Sequence, residues 1–278
     1  MVLNSYAKIN LTLSTNYKSK NGLHEIQSFF CLINLVDQIK INKIQGNKDK
    51  INFKGPFAKL VNKTNNSIIS LVKLLRKLKL IKDYYSILVK KNIPVFGGLG
   101  GGTSNAATIL NYFLKKKINE RLLKQTESLI GSDLRIFFYK QGFLKSLRSV
   151  VQLNKKQKLF FVLIQPKIRC STKEIYAKVK KYSKKNKFNK NKIDSKKKFI
   201  SFISKNGNDL QSVVEKKYPK IKKLLIDIKN EKGCYFSRMT GSGSVCYGLF
   251  KDQFVAKKAL NKLKNKYPNL WLSLAKTV

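Results

Sequence analysis

Five glycines crowded between positions 97 and 102 set the tightest limit on how this chain folds. Gly97, Gly98, Gly100, Gly101 and Gly102 lie inside the run Pro94-Val95-Phe96-Gly97-Gly98-Leu99-Gly100-Gly101-Gly102-Thr103-Ser104-Asn105-Ala106-Ala107. A backbone keeps so many glycines where it must turn sharply or approach a ligand with no Cβ in the way. Ser104 follows as a candidate helix cap, ahead of apolar positions Ala106, Ala107, Ile109, Leu110, Phe113 and Leu114 at helical spacing. A helix start presents unpaired N–H groups to anions, so the glycine loop and the helix together read as a phosphate cradle. The alternative is a flexible linker, which sits poorly with a capped amphipathic helix directly downstream. The general nucleotide motifs do not fit: a P-loop needs Lys before Ser or Thr, and the Gly-x-Gly-x-x-Gly loops meet Thr103 at the third glycine position.

Around this loop the chain reads as alternating strands and helices. Lys8-Ile9-Asn10-Leu11-Thr12-Leu13 alternates polar and apolar residues, which predicts a strand carrying Lys8, Asn10 and Thr12 on one face. Lys8 is either a solvated surface lysine or a chemical group on that face. Asn21-Gly22 predicts a tight turn and a hairpin with the apolar run Ile26 to Ile41, leaving His24 as a loop histidine or a ligand contact.

Asn66 predicts the cap of a helix through Leu78, and Tyr84 to Val89 a strand leading to the glycine loop. A helix over Asn119 to Ile130 ends at Gly131-Ser132-Asp133, where Asp133 is a cap or a catalyst, and Arg135 to Tyr139 reads as a strand. Strand signals recur at Leu159 to Ile164, Cys234 to Phe236, Val245 to Phe250 and near Trp271. Ser171 to Glu174 has the capping-box pattern and opens a helix with Tyr176. Further helices read at Asp209 to Lys217, Ile221 to Lys229 and Phe254 to Leu263, whereas Lys180 to Lys198, nearly all Lys, Asn and Ser, reads as a solvated or partly disordered insert. The irregular alternation predicts an α+β fold of two domains meeting near residue 155.

Composition matters for what it excludes. At 278 residues and 42% hydrophobic the chain buries a real core. No run approaches the length of a membrane span, and Lys8 interrupts any signal-like segment, which reads as cytoplasmic. Lys+Arg 59 against Asp+Glu 14 leaves a charge of +45. That charge suits nucleic acid or a polyphosphate, but it is spread along the chain with Asn and Ile, as biased codon usage alone produces. Cys31, Cys170, Cys234 and Cys246 have no metal-ligand spacing, and with His24 the only histidine neither a zinc set nor a Ser-His-Asp hydrolase is in view. The cysteines read as buried thiols.

Three separated motifs resemble, in order, the signatures of the GHMP small-molecule kinases: the strand with Lys8, the loop Pro94 to Ala107, and Met239-Thr240-Gly241-Ser242-Gly243-Ser244. Ala7-Lys8-Ile9-Asn10-Leu11, Asn21-Gly22 with His24, and Gly131-Ser132-Asp133 are similar to the branch that phosphorylates a cytidyl diphosphate-linked methylerythritol in non-mevalonate isoprenoid synthesis. The resemblance covers nearly the whole chain. It implies a two-domain fold with the active site in the cleft between an ATP-binding domain, residues 1–155, and a ferredoxin-like, substrate-binding domain, residues 156–278.

The resemblance also implies ATP with Mg²⁺, and Asp133 taking the proton of the 2-hydroxyl while Lys8 holds both in place. Asn66, Lys91, Gly97, Gly98, Leu99, Gly100, Gly101, Gly102, Thr103 and Ser104 would surround the nucleotide. Asn10, His24, Thr172 and Tyr176 would meet the cytidyl group, with Thr240, Gly241 and Ser242 closing the site. Leu23 stands where the family usually has Tyr, Phe96 where it has Gly and Arg135 where it has Pro, and the family's glycines and glutamate are absent from Phe143 to Leu153. A mevalonate- or homoserine-type kinase of the same family is the alternative enzyme, and a degenerate basic nucleic-acid-binding protein the alternative of another class.

Overall fold

The apolar run after the first turn becomes one strand of 21 residues, rich in the β-branched and aromatic side chains that suit a pleated surface. A computed structural model describes residues 1–19, 22–153, 155–186, 188, 193 and 195–278. In chain order the elements are β1 (Val2–Asn10), β2 (Ser14–Lys18), β3 (His24–Ile44), β4 (Lys50–Lys54), α1 (Ser67–Lys77), β5 (Tyr84–Lys90), α2 (Gly101–Leu114), α3 (Glu120–Ile130), β6 (Gln141–Ser146), β7 (Ser149–Gln152) and β8 (Phe160–Gln165). They continue as α4 (Thr172–Ala177), α5 (Lys196–Lys205), α6 (Asp209–Lys217), α7 (Pro219–Lys229), β9 (Cys234–Met239), β10 (Cys246–Phe250), α8 (Gln253–Lys266) and β11 (Trp271–Lys276). Asn21 of the expected turn and part of the 180–198 stretch lie outside the described residues. Among the described residues no helix is long and apolar enough to cross a membrane.

One compact unit comprises Met1–Lys8, Leu35–Val95 and Gly100–Tyr139. Within it β3 pairs antiparallel with β5, from Gln38 opposite Lys90 to Ile44 opposite Tyr84, and β4 runs parallel to β5. Helices α1 and α2 cover that sheet through Leu71, Leu75, Ile109 and Leu110 against Ile39, Ile87 and Val89. Asn66 caps α1 as expected, its side chain accepting from the amides of Ile68 and Ile69.

Helix α2 corrects one expectation. Its cap is Gly100, whose φ of 68° turns the chain four residues before the expected Ser104, so Gly101 to Ser104 already form the first helical turn. A second correction follows α3. Residues Leu134–Phe138 form a 3-10 helix and not a strand. Arg135 reaches back to α3, donating to Glu127 at 2.9 Å and Glu120 at 2.8 Å, and this return fixes a tight turn where a strand would have carried the side chain away.

The second unit comprises Ile9–Asn34, Phe96–Leu99 and Lys140–Val278 and so takes chain from both sides of residue 155. Its four-stranded antiparallel sheet has the order β11-β8-β10-β9, a βαββαβ arrangement. Helices α6, α7 and α8 pack on it through Leu210, Val214, Leu224, Ile228 and Leu260 against Val162 and Ile164. The expected hairpin forms: β3 pairs with β2, from Ser14 opposite Gln27 to Lys18 opposite His24, and it also pairs with β1, the strand bearing Lys8. That strand ends at Asn10, and Lys8 to Thr12 are buried at every position instead of alternating.

The Lys-rich insert is irregular and solvated in its first described part, with Lys180, Lys181, Tyr182, Lys184 and Lys185 exposed, and departs from that expectation further on. Phe188 packs between Phe29 and Phe143 at 5.0 and 4.8 Å, and helix α5 starts at Lys196 behind a Ser195 cap. At these described positions a few apolar contacts and a capping hydroxyl act where the average composition reads as solvated.

Candidate active site

In the first unit, β1 carries Lys8 to within 3.1 Å of the Asp133 carboxylate. The lysine side chain is 3% exposed and the aspartate 32%, so an ammonium enclosed by protein holds a carboxylate that still meets solvent. Asp133 precedes the 3-10 turn but makes no side-chain cap bond there, which leaves its oxygens for other partners. A Cβ at Gly100 would lie 2.6 Å from Phe137 Cζ and 3.3 Å from Lys8 Cγ. Only glycine lets the loop come this close to the lysine stem. Gly101, Gly102 and Thr103 then form the first turn of α2, where helical N–H groups lack intrahelical acceptors.

Other expected residues of this unit have structural duties. Lys91 Nζ pairs with Asp37 and donates to Asn105 Oδ1 at 3.1 Å, with a side chain only 4% exposed. Asp37, fully buried, also accepts from the amides of Asn92 and Ile93 at 2.7 and 2.9 Å and from Asn105 Nδ2 at 3.0 Å. Ser104 Oγ donates to the Tyr6 carbonyl and accepts from Ser5 Oγ, both at 2.7 Å, tying α2 to β1. Asn66 spends its side-chain oxygen on α1. Sequence reasoning missed Asp37, whose signal is an acid inside the apolar run Leu32 to Ile41 with no turn to cap, and it missed Asn105.

The second unit gathers the remaining residues in three groups. Thr240 Oγ1 accepts from the Asn10 amide at 3.0 Å, while Asn10 Nδ2 donates to Ser28 Oγ at 2.8 Å. Gly98, at φ +72°, lies so close to this loop that a Cβ would sit 2.2 Å from the Thr240 carbonyl oxygen. The amides of Ser244 and Val245 donate to the carbonyls of Phe96 and Gly97, both at 3.2 Å. Leu99 is buried beside them, and Gly241 packs its backbone on Gly98. The amides of Gly98 and Leu99 donate to no acceptor among the described residues, as an anion-binding turn requires. Asn208, also missed, donates to the carbonyls of Met239 and Gly241, both at 2.8 Å, and so braces this loop.

The second group joins Thr172 and Ser242, whose hydroxyl oxygens are 2.9 Å apart. In the third, the His24 ring lies 5.1 Å from that of Tyr176 at a tilt of 35°. Burial, and then the charge of Lys18, hold the His24 imidazole below its ordinary pKa. Of the departures, Leu23 is exposed, and Phe96 adopts φ 60° with the Arg169 guanidinium 5.2 Å over its ring. The four cysteines are free and buried, and burial pushes Cys234 up to about 11, which keeps it protonated. Among the described residues no group of three or more His, Cys, Asp or Glu could hold a metal ion.

Residues 66–138 match the model of the GHMP kinases N terminal domain and residues 187–269 that of GHMP kinases C terminal. The chain is similar to the 4-diphosphocytidyl-2-C-methyl-D-erythritol kinase of Pelagibacter ubique, 37% identical over 99% of this chain and 98% of that protein. The crystal structure of a 4-(cytidine 5'-diphospho)-2C-methyl-D-erythritol kinase superposes with a TM-score of 0.75 at 21% identity over 99% of both chains. A mevalonate kinase superposes at 0.69 and 16% identity, covering 100% of this chain and 99% of that one. The structural likenesses show the fold, which these two kinases share.

Proposed function

Given that the chain belongs to the 4-diphosphocytidyl-2-C-methyl-D-erythritol kinases of the GHMP family, we propose how its own residues carry out phosphoryl transfer from ATP to the 2-hydroxyl of that cytidyl compound in the non-mevalonate isoprenoid pathway. The observation that carries the reading is the pairing of enclosed Lys8 with partly exposed Asp133 at 3.1 Å. Asp133 accepts the proton of the attacking hydroxyl, and Lys8 holds the carboxylate in line. Phosphoryl transfer is largely dissociative, so placing the hydroxyl and neutralising phosphate charge carry much of the rate.

The amides of Gly98, Leu99 and the Gly101 to Thr103 turn bind phosphate oxygens, with Gly97 and Gly100 shaping the loop and Ser104, whose amide donates to the Gly100 carbonyl at 2.8 Å, closing its first turn. Asn66 and Lys91 lie next to the nucleotide in this reading, and the buried Asp37 pairing makes Lys91 a brace for the segment leading into the loop. The chemistry that Mg²⁺ would supply when bound is neutralisation of phosphate charge. The residues fit it as an ion carried chiefly by the nucleotide and water, since the described residues offer no acidic cluster. Asn10, Thr172, Thr240, Gly241 and Ser242 orient the acceptor, and His24 with Tyr176 takes the cytosine ring.

The family models fall on either side of residue 155. That supports residues 1–155 as the ATP-binding domain and 156–278 as the ferredoxin-like one. Use of ATP fits a cytoplasmic enzyme. Identity to the Pelagibacter kinase across almost the whole chain favours the cytidyl substrate over a mevalonate- or homoserine-type acceptor, and an enzyme over a nucleic-acid binder.

The test is ADP release with ATP and Mg²⁺, comparing the cytidyl compound with methylerythritol 4-phosphate, mevalonate and homoserine. Turnover with the cytidyl compound alone is expected. Turnover with mevalonate or homoserine instead would overturn the substrate assignment.

A further inference from the structure

Tyr176 is not the only ring beside His24. Tyr182 lies 6.0 Å from the same imidazole at a tilt of 30°. It comes from the Lys-rich stretch, yet the residue that follows it is fixed. Ser183 donates its amide to the Thr15 carbonyl at 2.8 Å and its hydroxyl to Asp209 at 2.8 Å, and its carbonyl accepts from Asn16 Nδ2 at 3.0 Å. The same Asp209 oxygen accepts from the Thr15 amide at 2.7 Å and the Thr15 hydroxyl at 3.1 Å. Three residues further on, the Asn186 amide donates to Gln27 Oε1 at 2.7 Å.

A chain held this way to β2 and β3 presents Tyr182 on a fixed backbone while the ring stays 44% exposed. An exposed ring whose ordering cost is already met by its neighbours is a surface for stacking. Leu23, 51% exposed and next to His24 in the chain, offers no aromatic face. A cationic group stands beside the rings: Lys18 is opposite His24 in the pairing of β2 with β3, and its charge acts on the imidazole. Aromatic faces edged by positive charge match a flat base joined to a diphosphate.

We propose that Tyr182 completes a three-ring wall with His24 and Tyr176, and that this wall selects the base of a nucleoside-diphosphate-linked substrate. The inference rests on the function proposed above and adds a specificity residue to it.

The experiment compares wild type with Tyr182→Ala, Tyr182→Leu and Tyr182→Phe in the full chain, measuring kcat and KM for the cytidyl compound and for ATP, and binding of CDP by calorimetry. Loss of the ring in Tyr182→Ala and Tyr182→Leu is expected to raise KM for the cytidyl compound and Kd for CDP about tenfold, the scale of one base–aromatic stack. Tyr182→Phe keeps both values, and KM for ATP does not move. Unchanged values in Tyr182→Ala overturn the proposal, as do equal rises in both KM values or a Phe variant as weak as the Ala one. If wild type fails to turn over the cytidyl compound, the functional reading falls, and the CDP titrations still decide whether Tyr182 stacks a base.

Discussion

Lys8 and Asp133 are 125 positions apart in the chain, yet the ammonium of one lies 3.1 Å from the carboxylate of the other, the lysine 3% exposed and the aspartate 32%. An enclosed lysine on a strand needs such a partner, because an unpaired buried charge is costly. The pairing also aims a carboxylate toward solvent in a fixed direction.

Asp133→Asn keeps the shape and removes the proton acceptor. Its kcat is expected to fall by about 10²- to 10⁴-fold, the usual range for a positioned base, while ATP binding, read by calorimetry, stays within a few-fold of wild type. Near-normal turnover would rule Asp133 out as the base.

Asp37 tests the brace beneath the loop. Asp37→Ala strands the Lys91 ammonium and the amides of Asn92 and Ile93, and breaking a buried pair in this way costs about 3–5 kcal/mol. Denaturant unfolding should show this loss, with Asp37→Asn in between. A loss under 1 kcal/mol, about the value of a surface pair, would show that Lys91 finds solvent without it.

The glycines are not equivalent. Gly98→Ala meets both φ +72° and the Thr240 carbonyl oxygen at 2.2 Å. It should cost at least about 1–2 kcal/mol from the left-handed backbone alone and weaken ATP binding. At Gly102 the nearest atom is Ser67 Oγ at 3.2 Å, with no left-handed φ, so Gly102→Ala should fold normally. Equal stability of the two variants would refute this assignment of the tight approach.

His24 is the only histidine, so its proton NMR signal is unambiguous. Its pKa lies below the ordinary 6.5, through burial first and Lys18 second. As pH falls from 6.5 the unfolded chain takes the proton first, so the stability linked to this group is complete above 6.5 and is lost below it. The NMR midpoint is expected below 6.5, with KM for the cytidyl compound flat above that pH and rising under it. A midpoint at or above 6.5 would contradict the burial argument.

Much of the site was legible because its residues sit in local patterns. The glycine run, the Asn66 cap, the helix ending at Gly131 and the Thr240 to Ser244 turn each declare themselves within a few positions, since caps and left-handed turns are local chemistry. Helix α2 was legible in kind but not in its start. A serine and a left-handed glycine can each begin a helix, and the packing of Gly100 against Phe137 and Lys8 decides between them.

The sequence by itself determined the α+β class, the phosphate-type loop, the family and the identity of Lys8 and Asp133 as candidates. Only the tertiary structure decided that Lys8 is enclosed and paired, that Lys91 and Ser104 serve buried networks, that Arg135 forms a turn by returning to Glu120 and Glu127, and that Tyr182 stands on a fixed segment beside His24. The physical reason is range. Propensity, capping and turn chemistry act over a few residues, whereas a buried charge or hydroxyl takes whichever partner the fold brings close, often a hundred positions away, and local pattern carries no record of that choice.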